Sequence, residues 1–318
     1  MQKILFQNTT NLPPGYEERE HNEMRFGLFI PPNYNEEKKY PLILALHGKL
    51  DLTSWNLPWY NEPIVSNDPC IVVTPKTSNP NLAWGNSNNE NHTPEMLTVL
   101  EILNLLMKEF NLDENRFYVH GASMGGFGVF NLLAKEPKMF AASFAICGGG
   151  SPSTANILKE TPLWIFHGDT DPIIPVEQSR NLYKAILLEG GKKVRYKEYP
   201  NVGHDSWVNA WNETTILNWF LSQRKNYSLR SPKPPENFRY EFIEKGKINL
   251  TWNFSKSKNV WYYKIFSNNQ QIAEVDNNIQ SIIIENKLEI LNYSILAVNY
   301  FFKESEKIEL NSYPNLLT

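Results

Sequence analysis

Cysteine is scarce: the 318 residues contain only Cys70 and Cys147. That rules out a scaffold held together by several disulfides. Each cysteine borders an apolar run and reads as a small buried residue rather than half of a bridge. No grouping of Cys, His and carboxylates has zinc-site spacing, so no metal and no cofactor is expected. Long apolar runs are absent too, which gives no helical membrane span. Neither charge sign dominates: 31 Lys and Arg face 34 Asp and Glu, a net charge of −3. A nucleic-acid partner is therefore not expected. The N-terminal Met1–Asn8 has only three consecutive apolar residues, too few for the core of a signal peptide.

What is present suits a globular chain with a real core, since 41% of the residues are hydrophobic. Up to about residue 226, strand and helix signals alternate. Leu42–Leu46 is a continuous apolar run, as in a strand covered on both faces. Thr93 to Phe110 reads as a helix. Thr93 serves as N-cap, Pro94 stands at the first position, and Met96, Leu100, Leu103 and Met107 form an apolar stripe. Further helices are expected at 176–189, stopped by Gly190-Gly191, and at 213–221. Alternation of this kind implies a mostly parallel sheet with helices on both faces. Residues 227–236 form a proline-rich linker, Ser231-Pro232-Lys233-Pro234-Pro235-Glu236 within it. From 237 to 318 helix signals vanish. Short strands at 247–252, 261–266, 271–275, 281–284 and 293–298 predict a small all-β sandwich.

The chemistry centres on Gly121-Ala122-Ser123-Met124-Gly125-Gly126. It follows the strand-like Arg116–His120 and precedes the helix-like Phe127–Lys135. Strand, sharp turn with Gly-x-Ser-x-Gly, then helix is the layout of a nucleophile elbow. Only two histidines follow Ser123. His167 opens a loop carrying Asp169 and Asp171, just past the apolar run Leu163–Phe166. His204 lies in a loop past the strand-like Val194–Tyr199. Serine, aspartate and histidine thus each sit beyond the end of a separate strand, the edge at which open α/β sheets build their sites. A serine, an acid and a histidine in that order suit nucleophilic acyl transfer.

Residues ~15–222 resemble serine esterases with the α/β-hydrolase fold, of the dienelactone hydrolase, polyhydroxybutyrate depolymerase and feruloyl esterase group. The resemblance rests on Leu46-His47-Gly48, the elbow hexapeptide, His167-Gly168-Asp169-Thr170-Asp171 and Gly203-His204-Asp205-Ser206-Trp207. Asn111-x-Asp113-x-x-Arg116-x-Tyr118 is similar to the same group. Residues ~232–310 resemble a fibronectin type III domain, with Trp252 and Tyr293 as its core aromatics. Such appended domains favour a secreted or periplasmic location, although Met1–Asn8 does not read as a signal peptide.

The resemblance implies a carboxylesterase working through an acyl-enzyme on Ser123. Acetyl, feruloyl or polyester substrates fit, and a peptidase or acyltransferase would use the same machinery. His204 would be the general base. Asp171, three residues after the glycine of His-Gly, would be the acid, with Asp169 as its rival. Oxyanion donors would be the backbone N–H groups of Met124 and Lys49. The related esterases carry more glycines where this chain has Lys49-Leu50-Asp51, so the path of this loop is expected to differ from theirs. Trp84 and Trp207 are candidates for an aromatic wall around the substrate, with Trp55 and Trp59 weaker ones. The partner is a small or polymeric ester, with the C-terminal domain as a spacer or carbohydrate contact.

Overall fold

The computed structural model describes residues 2–3, 13–49, 57–61, 63–77, 84–244, 246–285 and 292–310. Trp55 and the 50–56 part of the loop after Gly48 lie outside the described residues. The chain divides into two compact units, Met1–Asn226 and Tyr227–Thr318.

The first unit is built on one nine-stranded sheet. Its strands are β1 (Gln2–Lys3), β2 (Tyr16–His21), β3 (Met24–Phe29), β4 (Tyr40–Leu46), β5 (Ile71–Pro75), β6 (Leu112–Ala122), β7 (Ala142–Ile146), β8 (Leu163–Gly168) and β9 (Val194–Tyr199), in the order β1-β2-β3-β5-β4-β6-β7-β8-β9. From β5 to β9 all neighbours run parallel, while β1, β2 and β3 pair antiparallel. Every residue of β4, β5, β7 and β8 is buried, as expected for strands covered on both faces.

Among the described residues, this unit has seven α-helices: α1 (Ile64–Asn67), α2 (Pro94–Glu109), α3 (Met124–Lys135), α4 (Ala155–Leu158), α5 (Glu177–Leu188), and, after the last strand, α6 (Trp207–Trp211) and α7 (Ile216–Ser222). In α2 the Thr93 hydroxyl accepts from Met96 N–H at 3.2 Å, and Glu95 sits in the positive first turn. Its buried stripe comprises Met96, Val99, Ile102, Leu103 and Leu106, while Leu100 and Met107 are only partly buried against the same core. The expected stripe was thus rotated by part of a turn. The expected helix at 213–221 begins three residues later as α7, after a turn at 212–215, and α6 before it was not expected.

The two sheet faces differ because β6 alternates. Phe117 and Val119 join an aliphatic core with Leu42, Leu44, Val73, Ile165 and the inner sides of α2, α3 and α5. Tyr118 and His120 face the other way, toward aromatics. The Tyr118 hydroxyl bonds the carbonyls of Leu221 (3.0 Å) and Gln223 (2.8 Å). Arg116 reaches both carboxylate oxygens of Asp68 at 2.7 Å. The Arg116-x-Tyr118 pair therefore ties the central strand to the end of α7 and lies away from Ser123 in the sequence register of β6.

His120 accepts from Trp59 Nε1–H at 2.9 Å and stacks on Phe144, with ring centroids 4.7 Å apart. Burial pushes its pKa down to about 3. The folded form keeps this ring neutral while the unfolded chain takes up a proton below about 6.5, so stability falls as the pH drops from 6.5 toward 3. Between pH 6.5 and 5 this one group is expected to cost about 2 kcal/mol. Urea unfolding at pH 7 and pH 5 checks it: His120→Gln should show a clearly smaller pH effect than the wild type.

In the second unit, β10 (Glu236–Glu244), β11 (Lys247–Asn253) and β14 (Ser281–Glu285) form one antiparallel sheet, ordered β10-β11-β14. The strands β12 (Val260–Ser267), β13 (Gln270–Asp276), β15 (Tyr293–Asn299) and β16 (Ile308–Glu309) form another, ordered β13-β12-β15-β16. Phe238, Ile248, Leu250 and Trp252 from the first sheet share one core with Tyr263, Ile265, Tyr293 and Ile295 from the second. The proline-rich stretch is bonded into this unit. Lys233 N–H donates to Ser257 Oγ (2.9 Å), and Asn299 Nδ2 donates to Arg230 C=O (3.1 Å).

Candidate active site

β6 ends at Ala122 and α3 begins at Met124, so the whole turn falls on Ser123. Its φ of 56° and ψ of −118° are left-handed backbone, strain of about 1–3 kcal/mol for a residue with a side chain. The conformation is held from both sides. Ser123 N–H donates to Ile146 C=O at 2.9 Å, and Ser123 C=O accepts the first α3 bond from Phe127 N–H at 3.1 Å. The flanking glycines are required by space. A Cβ on Gly121 would lie 2.5 Å from the backbone of Gly125, and one on Gly125 would lie 2.0 Å from Leu46 C=O.

The loops after β8 and β9 meet at this turn. His204 Nε2 lies 2.9 Å from Ser123 Oγ, and His204 Nδ1 lies 2.8 Å from Asp171 Oδ2. A proton on Nδ1 donated to the carboxylate leaves Nε2 free to accept from the serine hydroxyl. The Asp171 side chain is 0% exposed and His204 is 21% exposed, so the imidazole is the member that meets solvent. Burial raises the Asp171 carboxyl, but the Ile174 N–H, the His204 ring and the Ile173 N–H outweigh it and hold the group below its usual range. The two N–H groups reach Oδ1 at 2.8 Å (Ile173) and 2.9 Å (Ile174). Asp169 is engaged elsewhere: its Oδ1 accepts from Asn201 N–H at 2.6 Å.

His167 does more than open the acid loop. Its Nε2 lies 3.0 Å from Ile174 C=O and 3.3 Å from Asp171 Oδ2, and its Nδ1 lies 2.7 Å from Ser179 Oγ. The ring is wholly buried, and burial lowers its pKa. A neutral His167 thus spans the loop that carries Asp171. The signal was present in the sequence as the His of His-Gly-x-x-Asp, but its partner Ser179 sits twelve residues away on α5.

Met124 opens α3, so its N–H belongs to the first turn, which has no intrahelical acceptors. Gly48 lies alongside: a Cβ there would be 3.6 Å from Ser123 Cβ. His47 Nε2 accepts from Thr77 N–H at 3.1 Å, so its proton is on Nδ1, which reaches Gly48 C=O at 2.5 Å. The next peptide is fixed by that bond. With the Gly48 carbonyl drawn to the imidazole, the trans Lys49 N–H points the opposite way. The Lys49 side chain is exposed.

Trp84 requires a correction. It is fully buried and offers no face to a substrate. Its indole N–H donates to His47 C=O at 3.0 Å, and its ring sits edge-on to His47 at 5.2 Å. It supports the His47 loop from beneath. Trp59 is also fully buried, beside His120. Trp207, at the start of α6, is half-buried with its ring edge-on to His204 at 5.6 Å.

Both cysteines are free and buried. Cys147, at the end of β7, has φ 41°, and its sulfur, an Asp171 carboxylate oxygen and a His204 nitrogen all lie within 4.8 Å of one another. Burial pushes this thiol up to about 12. A cavity of about 70 Å³ near the turn is lined in part by Gly48, Leu57, His120, Ala122, Ile146 and Trp211.

The chain is similar to known esterases. The Esterase family model matches residues 18–216. The probable feruloyl esterase C of Aspergillus flavus is 24% identical over 195 residues, covering 59% of this chain and 70% of that protein. The bifunctional acetylxylan esterase/xylanase XynS20E of Neocallimastix patriciarum is 27% identical over 148 residues, 45% of this chain and 21% of that protein. Among solved structures, a thermostable esterase aligns with a TM-score of 0.60 at 32% identity, over 66% of this chain and 63% of its own.

Proposed function

Because this chain belongs to the Esterase family, and with it to the carboxylic ester hydrolases, we propose that Ser123 is its nucleophile and passes through an acyl-enzyme. Ser123 Oγ attacks the ester carbonyl while His204 Nε2 takes the hydroxyl proton. Asp171 holds the ring by its Nδ1–H and stabilises the imidazolium. The developing oxyanion is met by the N–H of Met124 and of Lys49. As the tetrahedral carbon collapses, its bond to the alcohol oxygen breaks and His204 returns the proton to that oxygen. Water then attacks the acyl-enzyme, with His204 again as base.

The observation that carries this reading is the unbroken line Asp171–His204–Ser123, with steps of 2.8 and 2.9 Å. The names of the relatives make acetylated and feruloylated polysaccharides the substrate classes to try first. The test is turnover of p-nitrophenyl acetate together with labelling by a serine-directed fluorophosphonate. One label per chain, on Ser123, is expected. Full inactivation with Ser123 unlabelled overturns the assignment.

For the second unit we propose a fibronectin type III-like spacer. Trp252, Tyr263 and Tyr293 belong to its core, and Trp261 and Tyr262 are buried too, so none of the five forms a surface platform for sugar rings. Retention of the full chain on insoluble xylan through this unit would overturn the spacer role.

A further inference from the structure

The loops that carry Asp171 and His204 are joined to one another by their backbones. Asp169 N–H donates to Tyr199 C=O and Thr170 N–H donates to Val202 C=O, both at 3.1 Å. Gly168 lets them meet, since a Cβ there would lie 2.2 Å from the Val202 carbonyl oxygen. These bonds fix the chain at the acid but not the direction of its carboxylate. The Asp171 side chain is wholly buried, and an ionised carboxylate without water needs donors for both of its oxygens. Oδ1 has the N–H groups of Ile173 and Ile174. Oδ2 has His204 Nδ1 at 2.8 Å and His167 Nε2 at 3.3 Å.

The tautomer of His167 is settled by its neighbours. Nε2 lies 3.0 Å from Ile174 C=O, which can only accept, so Nε2 carries the proton. Burial keeps the ring neutral, which leaves a lone pair on Nδ1 for the Ser179 hydroxyl at 2.7 Å. One N–H therefore serves both sides of the acid. It bonds the carbonyl of Ile174, the residue whose own N–H grips Oδ1, and it brings its positive hydrogen toward Oδ2. Ser179 is buried in the first turn of α5 and holds the ring by its other nitrogen.

We propose that His167 is the positioning residue of the triad acid: its Nε2–H, oriented by Ser179, keeps Asp171 Oδ2 turned to His204. This role rests on the Ser123–His204–Asp171 reading and deepens it. His167 touches no substrate and moves no proton. Its part is to hold the counter-charge still while the imidazolium forms, so that the transition state needs no reorientation. A loosened Asp171 weakens that stabilisation without altering the surface that binds the ester, so the effect belongs to kcat.

The test separates the two ring nitrogens, in the full chain. The amide nitrogen of glutamine reaches the place of Nε2 and offers one hydrogen to Ile174 C=O and one to Asp171 Oδ2. Asparagine is shorter and reaches only the place of Nδ1, beside Ser179. With p-nitrophenyl acetate, His167→Asn should lower kcat by about 10- to 100-fold and keep KM within about threefold, the span of one hydrogen bond to a charged group. His167→Gln should return kcat to within about threefold of the wild type. Ser179→Ala leaves the imidazole in place and should lower kcat by about 3- to 10-fold, the span of a neutral hydrogen bond. Melting curves on the same preparations identify the folded variants, and Ser179→Ala decides the matter if the buried ring is needed for folding. Equal losses in folded His167→Asn and His167→Gln overturn the proposal, because packing rather than the donor would then matter. So does a wild-type kcat in folded His167→Asn or Ser179→Ala, or a loss confined to KM. Acetate turnover near the wild-type rate in Ser123→Ala would instead overturn the triad reading beneath it.

Discussion

Ser123→Ala is expected to lower kcat for p-nitrophenyl acetate by about 10⁵- to 10⁶-fold while leaving KM within about threefold. The loss falls on kcat because the hydroxyl contributes nothing to holding the ground-state ester, yet forms the bond that defines the acyl-enzyme. The residual rate should still exceed that of water, since the N–H donors of Met124 and Lys49 remain to polarise a bound carbonyl. Folding should survive. The backbone at Ser123 is held by Ile146 C=O and Phe127 N–H, neither of which involves the side chain. Alanine tolerates φ of 56° about as poorly as serine does, so the melting temperature should move little. His204→Ala should be nearly as damaging alone, and the double variant no worse than either, because each removes the same proton transfer. Steady-state kinetics with thermal melts on the same preparations check all three. Additive losses in the double variant would show that serine and histidine act in separate steps.

The parts of the fold that were legible are those in which one local rule acts alone. β9 matches the strand expected at Val194–Tyr199, and α2 begins at Pro94 behind its Thr93 cap. The 42–46 run gave the centre of β4 because full burial on both faces leaves no polar residue to obscure it. β2 was not legible. Its sequence Tyr-Glu-Glu-Arg-Glu-His looks like a solvated loop, and its ion pairs come from afar. Arg19 reaches Glu109 at the end of α2 at 2.7 Å. β10 was hidden by the prolines before it, although Phe238 and Tyr240 alternate inward.

The site divides in the same way. The elbow was legible because its glycines answer a steric demand within five residues. Trp84 was misjudged because its burial depends on the His47 loop and on Asn131, whose amide donates to Trp84 C=O at 2.9 Å. The aromatic cluster of Trp59, His120, Phe144 and Trp211 draws on four separate elements, so no spacing could announce it. Spacing also left two aspartates in one loop. Only three-dimensional placement separates them, and that difference has a measurable consequence.

Asp171→Asn is expected to lower kcat by about 10⁴-fold, whereas Asp169→Asn should leave it within about threefold. The first effect comes from the tautomer of His204. Asparagine at 171 presents an amide N–H₂ where the carboxylate oxygen faced Nδ1 at 2.8 Å. To accept from that amide, Nδ1 must give up its proton, which moves to Nε2. A protonated Nε2 no longer accepts from Ser123 Oγ, and the imidazolium formed in catalysis loses its counter-charge. The fold has no reason to fail. The amide oxygen of the substituted side chain takes the place of Oδ1 and can still accept from Ile173 and Ile174 N–H. His167 keeps its bond to Ile174 C=O at 3.0 Å. At position 169 an amide oxygen can likewise replace the carboxylate oxygen that accepts from Asn201 N–H. Both variants should thus be folded, and the contrast should appear in kcat with KM nearly constant. Kinetics at pH 7, with melting curves as the control for folding, read the outcome directly. An inactive Asp169→Asn beside an active Asp171→Asn would move the acid to Asp169. It would mean that the 171 carboxylate is a turn cap for Ile173 and Ile174 rather than the partner of His204.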